Sequence, residues 1–282
     1  MNNYLSLIKF SHTIFAIPFA IIGFLLAIHH PSFSFEWHLL LKVILCMVFA
    51  RSAAMAFNRY IDKDIDKLNE RTAVREIPAG VIKSKSALIF VIINCILFIA
   101  TTKLINNLCF YLSPVAILII LGYSYTKRFT ALCHFILGTG LALAPIGAYL
   151  AVTEQFDWLP IFYSFAVLLW VSGFDIIYAL QDEDFDKSQQ LLSIPVFMGT
   201  SKALQLSTIL HLGTASFVIY AGIYASFGIL YWIGAALFIG LLVYQHTLVK
   251  SGDLSKVNLA FFTTNGIASV VFAVFVAMEL LL

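Results

Sequence analysis

Long apolar runs, separated by short polar stretches, make up most of the chain. A helix of about 20 apolar residues crosses the hydrocarbon core of a bilayer, and backbone exposed to lipid has few alternatives to helix. Each run of this length therefore predicts a transmembrane helix. The uncharged runs cover Phe10–Phe35, Ser86–Thr102, Leu104–Thr126, Phe129–Thr153, Trp158–Phe174, Ala203–Val249 and Val257–Met278.

Two regions decide the predicted number of helices. The segment Lys42–Phe57 is apolar apart from Arg51, so it predicts one further helix. As a single helix, Ala203–Val249 would reach roughly 70 Å at about 1.5 Å per residue, so we expect two helices with a break near Gly222–Gly228. We therefore predict an all-α integral membrane fold, with nine transmembrane helices around a central cavity and cytoplasmic loops that cap it.

The composition excludes an ordinary soluble protein. Hydrophobic residues make up 61% of the chain and charged residues only 11%, against roughly 45–50% and about 25% in a typical soluble domain. The basic residues are few and scattered, so we expect no face that binds nucleic acid. The four cysteines lie in or beside apolar runs without CxxC spacing, which predicts packing residues. No obligate protein partner is indicated.

The basic residues also predict the orientation in the membrane. Loops on one side carry most of them, whereas the opposite side has only Lys42 and Lys103. Because cytoplasmic loops carry the excess of Lys and Arg, we expect the N-terminus and the basic loops in the cytoplasm and the C-terminus outside the cell (inner) membrane. The basic loop residues are Lys63, Lys67, Arg71, Arg75, Lys83, Lys85, Lys127, Arg128, Lys187, Lys202, Lys250 and Lys256.

Two acidic clusters share one spacing. Each begins at the cytoplasmic end of an apolar run and is followed by an Ile-Pro pair. The repeated spacing indicates an ancient internal duplication within a single domain over residues 1–282, with halves of about 1–125 and 126–282. In the alignment, Asn58-x3-Asp62-x-Asp64-x-Asp66-Lys67 matches Tyr178-x3-Asp182-x-Asp184-x-Asp186-Lys187.

The spacing of these carboxylates predicts a metal site. Residues four apart lie along one helical face, so Asn58, Asp62 and Asp66 form one polar stripe, which Arg51 extends into the membrane. Asp175, Asp182 and Asp186 form a second stripe, with Tyr178 beside it. Stacked carboxylates repel one another unless cations lie between them, and two facing stripes suit Mg²⁺ and, through it, a pyrophosphate. The alternative is that these charges are solvated helix ends. A calcium-binding EF-hand loop is excluded, because it requires glycine at its sixth position, where both clusters have lysine.

Arg51 and Asp175 lie inside apolar runs. A charged side chain costs about 2.5–3.5 kcal/mol at the centre of a transmembrane helix, so such residues usually face a cavity or a partner. We expect both to line the central cavity, and the alternative is a structural ion pair between helices.

The two motifs together carry a family resemblance. With Asn-x3-Asp-x3-Asp at one helix end and Asp-x2-Tyr-Ala-x2-Asp-x3-Asp at another, the chain resembles the UbiA superfamily of membrane aromatic prenyltransferases over nearly its whole length. The phrases RSAAMAFNRYIDKDID, REIPAG and GFDIIYALQDEDFD are most similar to the 4-hydroxybenzoate polyprenyltransferase branch. That branch includes a subgroup proposed to act on a dihydroxynaphthoate in menaquinone synthesis.

The resemblance implies a Mg²⁺-dependent enzyme of respiratory quinone biosynthesis. It would transfer a polyprenyl group from a polyprenyl diphosphate to a ring carbon of an aromatic hydroxy acid such as 4-hydroxybenzoate, and release pyrophosphate. A dihydroxynaphthoate acceptor stays open as an alternative. The expected metal ligands are Asp62, Asp66, Asp182 and Asp186, the diphosphate ligands are Asn58, Arg71, Arg75, Lys127 and Arg128, and the catalytic residues are Arg51, Asp175 and Tyr178.

Two other classes compete with this interpretation. A transporter of cations or organic acids also has repeats and polar residues inside the membrane, but its charged site would lie near the middle of the bilayer. A CDP-alcohol phosphotransferase requires glycines between its aspartates, and both clusters lack them.

The seven histidines lack HxxxH spacing and are interpreted as loop or packing residues. Aromatic candidates for stabilising a carbocation include Tyr123, Tyr125, Tyr149 and Trp170.

Overall fold

The computed structural model describes residues 2–8 and 15–282, and helices without any β-strand form this part of the chain. We number the α-helices in chain order. They are α1 (Asn2–Leu7), α2 (Ile17–His29), α3 (Trp37–Ile61), α4 (Lys63–Leu68), α5 (Ser84–Ile105), α6 (Asn107–Thr126), α7 (Cys133–Thr153), α8 (Trp158–Ala179), α9 (Glu183–Ser188), α10 (Ile194–Met198), α11 (Thr200–Tyr224), α12 (Ile229–Leu248) and α13 (Asn265–Leu281). A 3-10 turn (Leu180–Asp182) precedes α9, and a π-helix (Leu259–Thr264) leads into α13.

The helix lengths confirm a multi-pass membrane protein. Among the described residues, eight helical segments are long and apolar enough to cross a bilayer, and α2 is a shorter apolar helix of 13 residues. The predicted span Phe10–Phe35 lies partly outside the described residues, so the count of nine stays a prediction. The long run Ala203–Val249 is broken as expected, because α11 ends at Tyr224 and α12 begins at Ile229.

Helix α7 connects two groups of helices. On one side α7 packs against α6, and α3 packs against α5; on the other side α7 packs against α2 and α8, and α8 packs against α11. The close approach of α2 and α7 requires Gly23, because a Cβ there would lie 2.0 Å from the carbonyl oxygen of Pro145. Helices α12 and α13 complete the second group by packing against each other, and α13 returns to α2.

The core between α2, α8, α12 and α13 is aromatic. Trp170 is fully buried, with its ring 5.3 Å from that of Phe19 and 5.8 Å from that of Phe238. Its indole N–H donates to the side-chain oxygen of Asn265 over 2.9 Å, so this buried polar group is satisfied. The packed core makes one wall of the space in which the two acidic motifs meet.

The two ends of the bundle differ in character. Helices α3 and α8 both end at the face that carries the acidic motifs. At the opposite face, the His29 ring nitrogen Nδ1 lies 3.2 Å from the carbonyl oxygen of Leu280, and Lys42 donates to the carbonyl of Leu104 over 2.8 Å. The C-terminal end of α13 therefore lies on the face opposite the acidic motifs.

Candidate active site

The first acidic motif crosses a break between two helices. Helix α3 ends at Ile61 and α4 begins at Lys63, with Asp62 between them. The expectation of one continuous helical stripe is therefore wrong at this residue. The three side chains are still one helical turn apart, because hydrogen bonds between residues four apart continue through the break. The Asp62 backbone N–H donates to the Asn58 carbonyl over 2.9 Å, and the Asp66 N–H donates to the Asp62 carbonyl over 2.7 Å. The Asn58 amide also donates to the Asp62 carboxylate over 3.1 Å.

The second motif has the same construction. Helix α8 ends at Ala179, the 3-10 turn ends at Asp182, and α9 starts at Glu183. Asp182 and Asp186 thus occupy positions equivalent to those of Asp62 and Asp66, and Asp66 and Asp186 are both buried. Each motif places one aspartate at a helix break and the next one turn later.

The loop after α4 brings the two motifs together. Arg71 forms an ion pair with Asp182, in which Nε donates to Oδ1 over 3.1 Å, and its Nη1 donates to the Tyr178 hydroxyl over 3.0 Å. The amide of Asn69 donates to Asp182 Oδ1 over 3.2 Å. Burial lowers the pKa of Arg71, but the Asp182 carboxylate and the Tyr178 hydroxyl outweigh this effect, so the pKa lies above its ordinary value. Arg71 therefore stays charged at any working pH.

The first motif is also neutralised by basic residues. Lys127 Nζ lies 3.2 Å from Asp62 Oδ2, and Arg128 donates to Asp62 Oδ1 over 2.9 Å. Arg75 donates to Asp66 Oδ1 over 2.7 Å. The four cations that the sequence assigns to diphosphate binding are thus held beside the carboxylates that it assigns to metal binding. Such an arrangement suits a metal–diphosphate complex, which presents both positive and negative charge.

These residues surround one polar cavity of about 540 Å³. Arg128 is the one predicted site residue that does not line it; its guanidinium lies behind Asp62 and also donates to the carbonyls of Ser124 and Ile61. The residues from the sequence prediction that line the cavity are Arg51, Asn58, Asp62, Asp66, Arg71, Arg75, Lys127, Asp175, Tyr178, Asp182 and Asp186.

The oxygen ligands in this cavity fit a hard divalent cation. Asp66 Oδ2 is buried and has no hydrogen-bond partner among the described residues, and in the same part of the chain Asp186 forms no ion pair. No group of three or more His, Cys, Asp or Glu side chains in the described ranges is arranged to hold a metal by itself. Mg²⁺ is usually held by one or two carboxylates together with substrate phosphates and water, so it fits such a donor set.

Two arginines on α3 form no direct ion pair with a described residue. Within residues 2–8 and 15–282, neither Arg51 nor Arg59 forms an ion pair, and the Nε atom of each is buried without a hydrogen-bond partner. Both line the polar cavity, and Arg59 is only 5% exposed. Sequence reasoning missed Arg59, although its position beside Asn58 in the first motif was a signal. A buried charge without an ion-pair partner is costly, so an anion in the cavity would offset the cost of burying the two guanidiniums.

Asp175 is paired with a histidine and not with Arg51. His134 Nδ1 lies 2.7 Å from Asp175 Oδ2, and the His134 ring is buried. The interpretation of every histidine as a loop or packing residue is therefore wrong for His134, which lines the polar cavity. The alternative of an ion pair between Arg51 and Asp175 is not what the structure contains. Both residues line the cavity, as expected.

The aromatic residues of the polar cavity differ from most of those proposed. Of the four candidates, only Tyr123 lines it; Trp170 is in the core, Tyr125 is exposed and Tyr149 packs between helices. The cavity wall instead contains a cluster that a chain rich in phenylalanine does not reveal by pattern. Its members are Phe15, Phe174, Tyr178 and Phe261, with ring centroids 4.2–5.7 Å apart between contacting pairs.

A second cavity adjoins the first and is almost entirely apolar. It has a volume of about 330 Å³, and residues of α3, α5, α6 and α7 line most of it. Arg51, Tyr123, Leu137 and Leu141 line both cavities. The polar cavity therefore continues into an apolar one at Arg51 and Tyr123, in the interior of the bundle.

The fold and the site define a multi-pass membrane protein with two facing carboxylate motifs over a hydrophobic cavity. The UbiA prenyltransferase family matches residues 16–267. The chain is 32% identical over 251 residues to the 4-hydroxybenzoate octaprenyltransferase of Aliivibrio salmonicida, covering 87% of this chain and 86% of that one. It is 30% identical over 244 residues to the enzyme of the same name from Tolumonas auensis, covering 86% and 83%.

Solved structures have the same fold. The apo structure of a UbiA homologue from Aeropyrum pernix K1 superposes with a TM-score of 0.86 at 29% identity, covering 96% of this chain and 98% of that one. A UbiA homologue from Archaeoglobus fulgidus bound to GPP and Mg²⁺ superposes with a TM-score of 0.78 at 22% identity, covering 99% and 100%. This chain belongs to the UbiA prenyltransferase family. It is an aromatic prenyltransferase, which leaves the transporter alternative without support.

Proposed function

We propose that the enzyme transfers a polyprenyl group from a polyprenyl diphosphate to a ring carbon of an aromatic hydroxy acid resembling 4-hydroxybenzoate. The transfer depends on Mg²⁺, releases pyrophosphate and serves the synthesis of a respiratory quinone. One observation carries this proposal: two acidic motifs with their cations enclose a polar cavity that continues into an apolar one. A molecule with a diphosphate head and a hydrocarbon tail matches that sequence of environments.

The donor diphosphate lies between the two motifs. Mg²⁺, when bound, neutralises the charge that grows on the leaving pyrophosphate. The carboxylates of Asp62, Asp66, Asp182 and Asp186 would hold the metal, which the Archaeoglobus fulgidus homologue binds together with GPP. Lys127, Arg71 and Arg75 line the cavity, so each of them reaches the phosphate oxygens with little movement. Arg128 does not line the cavity, and it contributes by donating a hydrogen bond that orients the Asp62 carboxylate.

Arg59 adds an anion ligand to this site. Its guanidinium is buried and forms no direct ion pair within residues 2–8 and 15–282, and the Asp66 and Glu76 carboxylates interact with it only at longer range. The other cations beside the motifs each contact a carboxylate, so Arg59 is the cation whose charge a diphosphate compensates most directly. Hydrogen bonds between charged groups are short and strong, which favours the donor head group at this position.

The polyprenyl tail lies in the apolar cavity between α3, α6 and α7. Its walls contain small side chains at Ala50, Ala54 and Ala116, and at Gly140 a Cβ would meet no atom within 4 Å. The tail exchanges the hydrocarbon of the bilayer for the hydrocarbon lining of the cavity, so its contribution to affinity comes from packing contacts with the cavity wall. The tail is also screened from the charged head-group site.

The acceptor lies between Arg51 and Asp175. Arg51 binds the acceptor carboxylate, because its charge is otherwise uncompensated and it lies where the two cavities meet. The aromatic cluster around Phe174 and Phe261 presents ring faces, which stabilise a developing allylic cation. The acceptor phenol then faces Asp175, which orients the ring or takes a proton from it.

The chemical steps follow from these positions. The C–O bond of the allylic diphosphate breaks, and its electron pair leaves with the pyrophosphate. A ring carbon of the acceptor supplies an electron pair to the allylic cation, forming the new C–C bond. The C–H bond at that ring carbon then breaks, its electrons restore aromaticity, and Asp175 accepts the proton.

The experiment that tests this function uses purified protein in lipid nanodiscs, labelled geranylgeranyl diphosphate and Mg²⁺. Two acceptors are compared, 4-hydroxybenzoate and a dihydroxynaphthoate, and both the prenylated product and the pyrophosphate are measured. We expect one molecule of pyrophosphate per molecule of prenylated product, and none of either with EDTA. Pyrophosphate release without prenylated product from either acceptor would contradict the proposal. The acceptor that reacts faster decides between a benzoate and a naphthoate.

A further inference from the structure

His134 and Asp175 form a buried pair at the wall of the polar cavity. His134 is the second residue of α7, and Asp175 lies on α8, so the pair joins two neighbouring helices. The distance from His134 Nδ1 to Asp175 Oδ2 is 2.7 Å. His134 is 2% exposed, whereas 22% of the Asp175 side chain is accessible. The Asp175 carboxylate is therefore the more accessible group of the pair, and the buried His134 imidazole fixes its position.

The other ring nitrogen of His134 decides which tautomer is present. The backbone N–H of Ile194 donates to His134 Nε2 over 3.3 Å. A nitrogen that accepts a hydrogen bond carries no proton, so the network assigns the proton of a neutral imidazole to Nδ1. Nδ1–H then donates to Asp175 Oδ2. The contact with Ile194 favours the neutral imidazole, whereas the Asp175 carboxylate favours the imidazolium; in both forms Nδ1 carries a proton and donates it to Asp175.

The backbone around the pair is also held in place. The hydroxyl of Ser172 donates to the His134 carbonyl over 3.2 Å, and Ile194 is the first residue of α10, with Ser193 as its N-cap. A chain of hydrogen bonds thus runs from α10 through His134 to Asp175. The second carboxylate oxygen of Asp175, Oδ1, has no hydrogen-bond partner in the described part of the sequence.

We infer that His134 is a positioning residue, which orients Asp175 so that Oδ1 accepts a hydrogen bond from the phenolic O–H of the acceptor. The inference rests on the proposed function and names the group that prepares its site for a phenol. A carboxylate held by one oxygen keeps its charge and presents the other oxygen in a single direction. Groups locked in this way lose little entropy when substrate binds. Loss of the partner that orients a metal ligand, a comparable case, costs about 10–100-fold in affinity or activity.

Two replacements of His134 separate orientation from packing. In His134→Asn, the side-chain amide places an N–H group near the position of Nδ1, so the hydrogen bond to Asp175 is kept. In His134→Ala, the hydrogen bond is lost. We expect His134→Ala to lower kcat about 10–100-fold while the donor KM stays at the wild-type value, and His134→Asn to restore most of that loss. His38→Asn, at an exposed histidine, is the matched control and should behave as wild type.

A double-mutant cycle tests whether His134 acts through Asp175. We expect His134→Ala to have little further effect on kcat in an Asp175→Asn background, because the carboxylate that it orients is gone. Equal effects of His134→Ala in both backgrounds would overturn the inference. So would equal losses in His134→Ala and His134→Asn together with lower thermal stability, since these indicate packing alone.

A spectroscopic measurement tests the tautomer directly. The ¹⁵N NMR spectrum of histidine-labelled wild-type protein should contain an imidazole with a protonated Nδ1 that is absent from His134→Asn; a His134 ring whose Nδ1 carries no proton overturns the inference. Wild-type activity distinguishes the two proposals. If the wild type transfers a prenyl group to neither acceptor, the proposed function fails and the inference falls with it. If the wild type is active and the variants are normal, only the inference fails.

Discussion

Asp62 and Asp182 hold the same place in the two halves of the chain. Each lies between a long helix and a helix of six residues, and their backbone angles are nearly equal, with φ −89° and ψ 2° at Asp62 and φ −106° and ψ 5° at Asp182. Each also contacts cations from elsewhere in the chain: Asp62 contacts Lys127, and Asp182 contacts Arg71. The sequence repeat is therefore a structural repeat, and its two copies face each other across one cavity.

Replacing Arg59 should separate donor binding from folding. In Arg59→Met we expect the donor KM to rise about tenfold or more, because a hydrogen bond to a charged group contributes about 1.5–3 kcal/mol. Thermal stability without ligand should stay equal or increase, since the replacement removes a buried charge that has no direct ion-pair partner. Lys67→Met removes an exposed charge next to Asp66 and is the control. A loss of stability with an unchanged donor KM would mean that Arg59 is structural.

Arg51 should affect the acceptor and not the donor. In Arg51→Met we expect the acceptor KM to rise about tenfold or more while the donor KM stays close to wild type, because a guanidinium binds a carboxylate through two hydrogen bonds. Steady-state kinetics with each substrate varied in turn measures both values. A change confined to the donor KM would place Arg51 on the diphosphate.

Asp175 should affect turnover more than binding. Asp175→Asn keeps the size of the side chain and removes its charge, so we expect kcat to fall more than either KM. The same kinetic series provides the measurement. Normal kinetics in a less stable protein would instead indicate that the contact with His134 is only a link between α7 and α8.

The apolar cavity should limit the length of the donor. Gly140 lines it, and a side chain added there enters open space. We expect Gly140→Phe to raise the KM for geranylgeranyl and longer diphosphates while the KM for dimethylallyl diphosphate is unchanged. Gly140→Ala fills little of the cavity and is the control. Equal effects on short and long donors would show that the polyprenyl tail lies elsewhere.

The orientation in the membrane is open to a direct test. A reporter fused at Ala73 or Gln189 should score cytoplasmic, and one fused at Gln155 should score external, because the basic loops determine orientation. Gln155 lies between α7 and α8, at the end of α7 remote from Cys133. A cytoplasmic score at Gln155 would overturn the orientation.

Much of the fold and of the charged site could be predicted from the sequence. Apolar runs as long as Leu104–Thr126 have few conformations other than helix in lipid, and α6 begins three residues after the start of that range and ends at the same residue. The aspartates repeat at helical spacing, so their joint site was visible as a pattern. The break at Asp62 was not, because hydrogen bonds between residues four apart continue through it.

The contacts made by single residues at long range could not be predicted. His134 is a lone histidine 41 positions from Asp175, and no periodicity connects the two. Phe174 and Phe261 come together only because α8 packs against the π-helix before α13. Which of the 26 phenylalanines face the cavity is decided by the packing of helices and not by local pattern.

The most direct test of the account is Mg²⁺-dependent prenyl transfer in variants of the two motifs. We predict that Asp62→Asn and Asp182→Asn each lower turnover by about two orders of magnitude or more, the scale of losing one preorganised electrostatic group. Asp64→Asn and Asp184→Asn, at the exposed aspartates of the same two short helices, should retain wild-type turnover. Near-normal activity in either Asp62→Asn or Asp182→Asn would contradict the claim that both motifs act on one diphosphate.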